Sequence, residues 1–409
     1  MSLNGAACIA GIYEHPTRKA DGLSVLRLHA DVAKGALEDA GLSRDDVDGY
    51  FCAGDAPGLG TTTVAEYLGL KLSHVDSTEC GGSAPILHVA HAAAAIKAGR
   101  CNVALITLAG RPRAQMAEAQ ATAKAQDLAG GKAMPPRLAL KPPDPDAPEL
   151  AFELPYGPAT QNLYAMVAQR HMYEFGTTSE QLAWIKVAAS HHAQYNPNAM
   201  LKNVVTVQDV LASPMVAKPL HKLDCCVMSD GGGALIVTRP EIARELAAKN
   251  NRPLIRVRGA GEAPKHNGRS VDLTYSAAVW SGQRAFLEAG VTPQDIQYAS
   301  LYDSFTITVL MQLEDLGFCK KGEGGKFVMD GNLISGVGRL PFNTDGGGLC
   351  NNHPANRGGM TKVIEAVRQL RGQAHPAVQV KDCKLAIANG IGGALAARHT
   401  SGTLILEAI

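Results

Sequence analysis

The chain has almost no net charge: 39 Lys and Arg against 38 Asp and Glu leave +1 over 409 residues. That excludes the basic footprint of a nucleic-acid binder and any electrostatic hold on an anionic membrane. Long apolar runs are also missing. Each is interrupted well short of the roughly 18 residues that predict a membrane-spanning helix. No C-x-x-C pair occurs, and the nine cysteines, at 8, 52, 80, 101, 225, 226, 319, 350 and 383, are odd in number. Reduced thiols fit this pattern better than a disulfide frame or a zinc site. His191-His192 and His88/His91 lack partners at metal-ligand spacing and read as helix-face residues, so no metal site is expected. Gly231–Gly233 belongs to neither G-x-x-x-x-G-K-[ST] nor G-x-G-x-x-G, which excludes a phosphate loop. Met1-Ser2-Leu3-Asn4-Gly5 has no basic n-region, so no secretory signal is expected. What remains is a soluble, cytoplasmic globular chain, 46% hydrophobic and 19% charged, long enough for two or three packed units.

Strands alternate with helices. Ala6 to Ile12 reads as a buried strand, and Gly22 to Ala40 as a helix with Val25, Leu28, Val32, Ala36, Leu37 and Ala40 at three- and four-residue steps. Strand-like runs follow at Asp48–Ala53, Asn102–Leu108, Met228–Val237, Gln297–Leu301 and Lys384–Ile387. The alternation predicts a mostly parallel sheet covered on both faces. From Arg111 to Gly157 the chain turns Ala-, Gln-, Lys- and Pro-rich, an excursion over the sheet; helices at Pro158–Phe175 and Ser179–Tyr195 follow it. The second half repeats the first. Ala40-Gly41-Leu42-Ser43-Arg44-Asp45-Asp46-Val47 aligns without a gap on Ala289-Gly290-Val291-Thr292-Pro293-Gln294-Asp295-Ile296, a spacing of 249 residues (289 − 40). A weaker echo pairs 86–108 with 358–388, so two α/β halves are expected, 1–245 and 250–409.

Four stretches hold residues that could carry chemistry. Cys80-Gly81-Gly82-Ser83-Ala84-Pro85 precedes an almost wholly apolar helix, Ile86–Ala98. Unpaired N–H groups at a helix start lower a thiol pKa, so Cys80 reads either as a nucleophilic thiolate or as an inert buried cysteine. Tyr302-Asp303-Ser304-Phe305 lies at the carboxyl end of a strand, where active-site groups of α/β sheets gather; Asp303 or Ser304 could equally be a helix cap. In Gly346-Gly347-Gly348-Leu349-Cys350-Asn351-Asn352-His353-Pro354, His353 is either a general base or oxyanion donor, or a solvated loop histidine. Asn389-Gly390-Ile391-Gly392-Gly393, after the strand at Lys384–Ile387, is a tight turn or a row of N–H donors for a negative oxygen.

Together the four stretches resemble the thiolase superfamily, most closely its sterol-carrier-protein-type thiolases. Cys80-Gly81-Gly82-Ser83 matches the nucleophile turn, Tyr302-Asp303-Ser304-Phe305 the N-E-A-F or H-D-C-F loop, Asn352-His353-Pro354 the G-H-P loop, and Asn389–Gly393 the closing Gly-rich loop. The resemblance implies a five-layer αβαβα fold of two duplicated halves, a homodimer or homotetramer, and a loop domain at about 111–205 that binds coenzyme A. It implies an acyl-CoA acyltransferase whose substrate is a coenzyme A thioester and which holds no permanent cofactor. Cys80 would take the acyl group for thiolysis or condensation. His353 would activate Cys80 and bind the thioester oxygen with a second-loop residue, while Gly392 supplies a further N–H. The chain departs from the family where Ser304 replaces the second cysteine and Tyr302 the Asn or His. Thiolase-like steroid side-chain aldolases share the scaffold and a Y-D loop, which offers Tyr302 as acid/base for retro-aldol cleavage of a β-hydroxyacyl-CoA. Such aldolases work with a small zinc-ribbon/OB-fold partner subunit. A non-catalytic scaffold is the third reading.

Overall fold

The computed structural model describes residues 2–53, 56–128, 154–156, 159–266, 271–355, 357–395 and 397–409. Among the described residues eleven strands run in chain order: β1 Cys8–Glu14, β2 Gly49–Cys52, β3 His74–Asp76, β4 Val103–Gly110, β5 Met215–Ala217, β6 Leu220–His221, β7 Gly231–Thr238, β8 Ile255–Pro264, β9 Tyr298–Leu301, β10 Leu385–Ala394 and β11 Ala397–Ala408. Nine form one sheet, ordered β3-β2-β4-β7-β1-β8-β11-β10-β9, and β5 pairs with β6. The halves meet where β1 pairs antiparallel with β8.

The duplication is visible in the structure. β2 and β9 are 249 residues apart at both ends (298 − 49 and 301 − 52). Before each strand a hydroxyl residue and an aspartate close the same capping box: Ser43 N–H and Oγ donate to Asp46 Oδ2, both at 2.8 Å. Thr292 N–H and Oγ1 donate to Asp295 Oδ2 at 2.7 and 2.8 Å. Each box follows a helix, Val25–Ala40 or Ala278–Ala289, that ends at a left-handed glycine, Gly41 or Gly290.

The parallel expectation needs correcting. β2 is parallel to β3 and β4, and β9 to β10, but β4–β7, β7–β1, β1–β8, β8–β11 and β11–β10 are antiparallel. Only Leu395 and Ala396 separate β10 from β11, far too few residues for the crossover that a parallel pair requires.

Two buried helices form the middle layer. Ala84–Lys97 touches β2, β4 and β7 of one half and β8, β10 and β11 of the other. Gly359–Leu370 packs on that helix and on β1, β7, β9, β10 and β11. Their side chains Ile86, Val89, Met360, Val363 and Ile364 share a core with Ile9, Ile106, Leu235, Ala386 and Leu404. The helices Val25–Ala40 and Ala278–Ala289 cover the outer faces, against β1, β4, β7 and β8, β11 respectively, giving five layers. The helices at Thr160–Phe175 and Ser179–Ala193 lie where the sequence places them, and Pro112–Leu128 opens the excursion as a helix whose first turn is held by Asp230. Residues 129–153 and 157–158 of the expected coenzyme A loop domain lie outside the described residues. No helix among the described residues is long and apolar enough to cross a membrane.

Candidate active site

The four stretches converge. A methyl group built on Gly82 would lie 2.3 Å from Tyr302 Cε2, and one on Gly359 2.1 Å from Gly82 O. On Gly358 it would meet Tyr302 Cε2 at 3.1 Å and His353 Cδ2 at 3.2 Å; on Gly392 it would lie 1.6 Å from Cys80 O. These glycines let four backbone segments approach within contact distance, and side chains there would force the segments apart.

Tyr302 and His353 are paired. Tyr302 Oη lies 3.0 Å from His353 Nε2, and the rings meet edge to face at 5.6 Å between centroids. Both are buried. Burial pushes the His353 pKa down to about 4, overriding Asp303, and the positive charges of Lys362 and Arg357 add to the effect. The imidazole is therefore neutral at ordinary pH, and its Nε2 can accept the phenolic proton. Burial holds the Tyr302 phenol well above its ordinary pKa, opposed in part by the Gly358 backbone and the Arg357 charge.

Both side chains are set by polar contacts from several elements. Tyr302 follows β9, and its N–H donates to Asn389 O of β10 at 3.1 Å and to Gln312 Oε1 at 3.1 Å. His353 N–H donates to Ser229 Oγ at 2.9 Å, and that hydroxyl donates to Asn352 Oδ1 at 2.6 Å. Asp303, paired with buried Lys362 at 2.8 Å, accepts from Gly348 N–H at 2.9 Å and Leu349 N–H at 3.2 Å, anchoring the turn that carries His353. Arg357 Nη1 donates to Glu79 Oε1 at 2.6 Å, and Gly81 N–H reaches the same oxygen at 2.8 Å, tying the His353 loop to the cysteine turn.

Cys80 differs from its sequence expectation. It precedes a single 3₁₀ turn, Gly81–Ser83, ahead of the α-helix Ala84–Lys97, and is half-buried. Its thiol pKa is raised, not lowered. Burial is the largest cause, and the carboxylates of Glu79, Glu262 and Asp76 add to it against a hydroxyl contact from Thr400. The imidazole expected to activate this thiol has its Nε2 engaged with Tyr302 instead.

Two further expectations change. Asn389 and Gly392 do not lie in a loop: both sit within β10, paired with Thr403 and Thr400 of β11. Asn389 Nδ2 donates to Ser401 Oγ, Gly402 O and Thr403 Oγ1 at 3.1, 3.0 and 2.7 Å, so this amide staples the β10–β11 hairpin. Gly392 O accepts from His399 Nδ1 at 2.9 Å. His91 is not an idle helix-face residue, because its ring bridges Asp76 at 2.7 Å and Glu262 at 2.9 Å and its pKa rises to about 9. Ser304 is buried, with its hydroxyl 3.2 Å from Thr308 Oγ1 and its carbonyl accepting from Cys226 N–H at 2.8 Å. Among the described residues no cluster of His, Cys, Asp and Glu is placed to hold a metal ion.

Sequence reasoning missed Ser229, Lys362 and Arg357. Ser229, just before β7, and Arg357, in the His353 loop, carried a weak signal as polar residues inside Gly-rich motifs. Lys362, with Glu365 three residues on and Gln369 seven on along the same helix, gave no distinct signal.

The chain resembles several known proteins. A family model described as "Thiolase C-terminal domain-like" matches residues 259–408. A steroid side-chain-cleaving aldolase of Thermomonospora curvata is 36% identical over 382 residues, covering 90% of this chain and 91% of the relative. The chain belongs to the thiolase superfamily. An acetyl-CoA acetyltransferase of Methanothermobacter thermautotrophicus is 34% identical over 361 residues, 88% of this chain and 89% of the relative. Among solved structures, an "Ltp2-ChsH2(DUF35) aldolase" superposes with a TM-score of 0.85 at 33% identity, covering 99% of this chain and 98% of that one. As a member of that superfamily the chain is an enzyme of the thiolase family, and a "Sterol carrier protein 2" of Bos taurus, 29% identical over 254 residues, is also among the proteins it resembles.

Proposed function

We propose that this enzyme is a lyase that cleaves a β-hydroxyacyl-CoA by retro-aldol chemistry, with Tyr302 as the acid/base and His353 behind it. The observation that carries the proposal is the 3.0 Å contact between Tyr302 Oη and His353 Nε2, with the imidazole held neutral. In the cleavage step Tyr302 Oη accepts the proton of the substrate β-hydroxyl while its own proton passes to His353 Nε2. The β-carbon becomes a carbonyl, the Cα–Cβ bond breaks, and its electron pair moves into the enolate of the departing acyl-CoA. The proton held on His353 is given up to solvent and water protonates Cα, which gives the shortened thioester and restores the neutral imidazole. No step uses a thiolate, which suits a cysteine whose pKa is raised. The aldolase relatives support the same reading.

The second reading is acyl transfer from Cys80, supported by the half-buried thiol at the convergence of the four segments and by the acetyltransferase relative. Asn389, Gly392 and Ser304 are positioning residues under the lyase reading. A small DUF35-type partner, of the zinc-ribbon/OB-fold kind, belongs to the proposal because the aldolase neighbour is named with one. So do the homodimer or homotetramer and the cytoplasmic setting. Coenzyme A contacts are proposed within 111–205.

Intact-mass spectrometry after incubation with short acyl-CoAs, alongside assay of carbonyl release from β-hydroxyacyl-CoAs of varied β-substituent, separates the two. The lyase reading expects Cys80→Ala to release the ketone or aldehyde at near wild-type rate. A Cys80-dependent acyl adduct without any carbonyl release would replace it with acyl transfer.

A further inference from the structure

Lys186, on the helix Ser179–Ala193, is 1% exposed. Its Nζ donates to Leu349 O at 2.6 Å and lies against the Cys350 thiol. Among the described residues no carboxylate comes within ion-pair distance of it, and Asp303 pairs with Lys362. A buried ammonium with only a carbonyl and a thiol for partners is costly, since the interior returns little of its lost hydration. An ammonium also has three N–H donors to satisfy.

Lys186 lines a cavity of about 430 Å³ whose walls include none of Cys80, Tyr302 and His353. Its other walls are mostly apolar: Ala199, Met200, Leu201, Val205 and Leu223, with Cys350 beside Lys186. Lys202 and Asn203 are exposed and also line it. We propose that this cavity binds a small monocarboxylate with an apolar tail, its carboxylate on Lys186 Nζ and its tail along Met200, Leu201, Val205 and Leu223. The volume suits a medium-chain acid, and the apolar walls favour a tail over a bare inorganic anion. The cavity wall is tied to the catalytic loop, because Met200 N–H donates to Asn351 O at 3.3 Å and Leu201 N–H to Cys350 O at 2.9 Å. An occupant would therefore brace the loop that ends at His353.

Calorimetric titration of the full-length protein with octanoate tests this, with inorganic phosphate and n-octanol as comparison probes. Octanoate should bind one per chain, and Lys186→Met should weaken it by about tenfold or more. Leu223→Trp, which fills the cavity and leaves the ammonium untouched, should do the same and guards against a misfolded Lys186 variant. Phosphate and n-octanol should each bind at least about tenfold more weakly than octanoate. The proposal is overturned if octanoate does not bind, if it binds both variants as it binds the wild type, or if phosphate or n-octanol matches it.

Discussion

At the scale of single residues, environment sets protonation here. A histidine ordinarily titrates near 6.5, but burial holds His353 to about 4. A proton acceptor with that value stays ready across neutral pH. The rate of carbonyl release should be flat from about pH 6 upward and fall only as the pH drops toward 4. An acid limb centred near 6.5 in the pH–rate profile would mean that the ring is solvated during turnover. The same reasoning explains where sequence misleads about Cys80. A cysteine before a buried helix suggests a low-pKa thiol, yet burial raises it first, and carboxylates add to that from Glu79 and Asp76 beside it and from Glu262, far along the chain. Linear spacing does not reveal that last neighbour.

At the scale of elements, glycines and ion pairs set how closely segments approach. Gly392 of β10 faces Cys80 O with no room for a methyl group. Gly392→Ala should displace the cysteine turn and lower carbonyl release by roughly tenfold or more, with far-ultraviolet circular dichroism unchanged; full activity would remove this contact from the account. The Asp76–His91–Glu262 bridge joins β3, the buried helix and β8. His91 gains protons on folding, so its stabilisation is complete below its unfolded value of about 6.5 and is lost as pH rises through about 9. Asp76 is shifted down, so its share persists above about 3.9 and is lost as pH falls below it. The Tm gap between wild type and His91→Gln should be widest near pH 6 and close above about pH 9. A gap unchanged over that range would contradict the bridge. The strand at Asn389–Gly393 was illegible because glycine weakens a strand signal; the β11 ladder and the Asn389 staple hold it regardless.

At the scale of the whole molecule, the duplicated architecture was the most legible feature. The capping boxes at Ser43 and Thr292, and the strands after them, keep their spacing of 249 residues (292 − 43) because each half solves the same packing problem. The family resemblance is what groups the four segments, and glycine runs in three of them mark close backbone approach. Sequence does not identify which side chains pair within that meeting point. His353 could face the cysteine turn or Tyr302, and only the folded geometry places its Nε2 on the phenol. The central claim is that this phenol–imidazole pair, rather than the thiol, breaks the carbon–carbon bond. Its most direct test is carbonyl release from a β-hydroxyacyl-CoA by Tyr302→Phe and Cys80→Ala measured side by side. The account predicts that Tyr302→Phe lowers kcat by about 10²–10⁴-fold while Cys80→Ala stays within about threefold of wild type. An active Tyr302→Phe beside an inactive Cys80→Ala would contradict it.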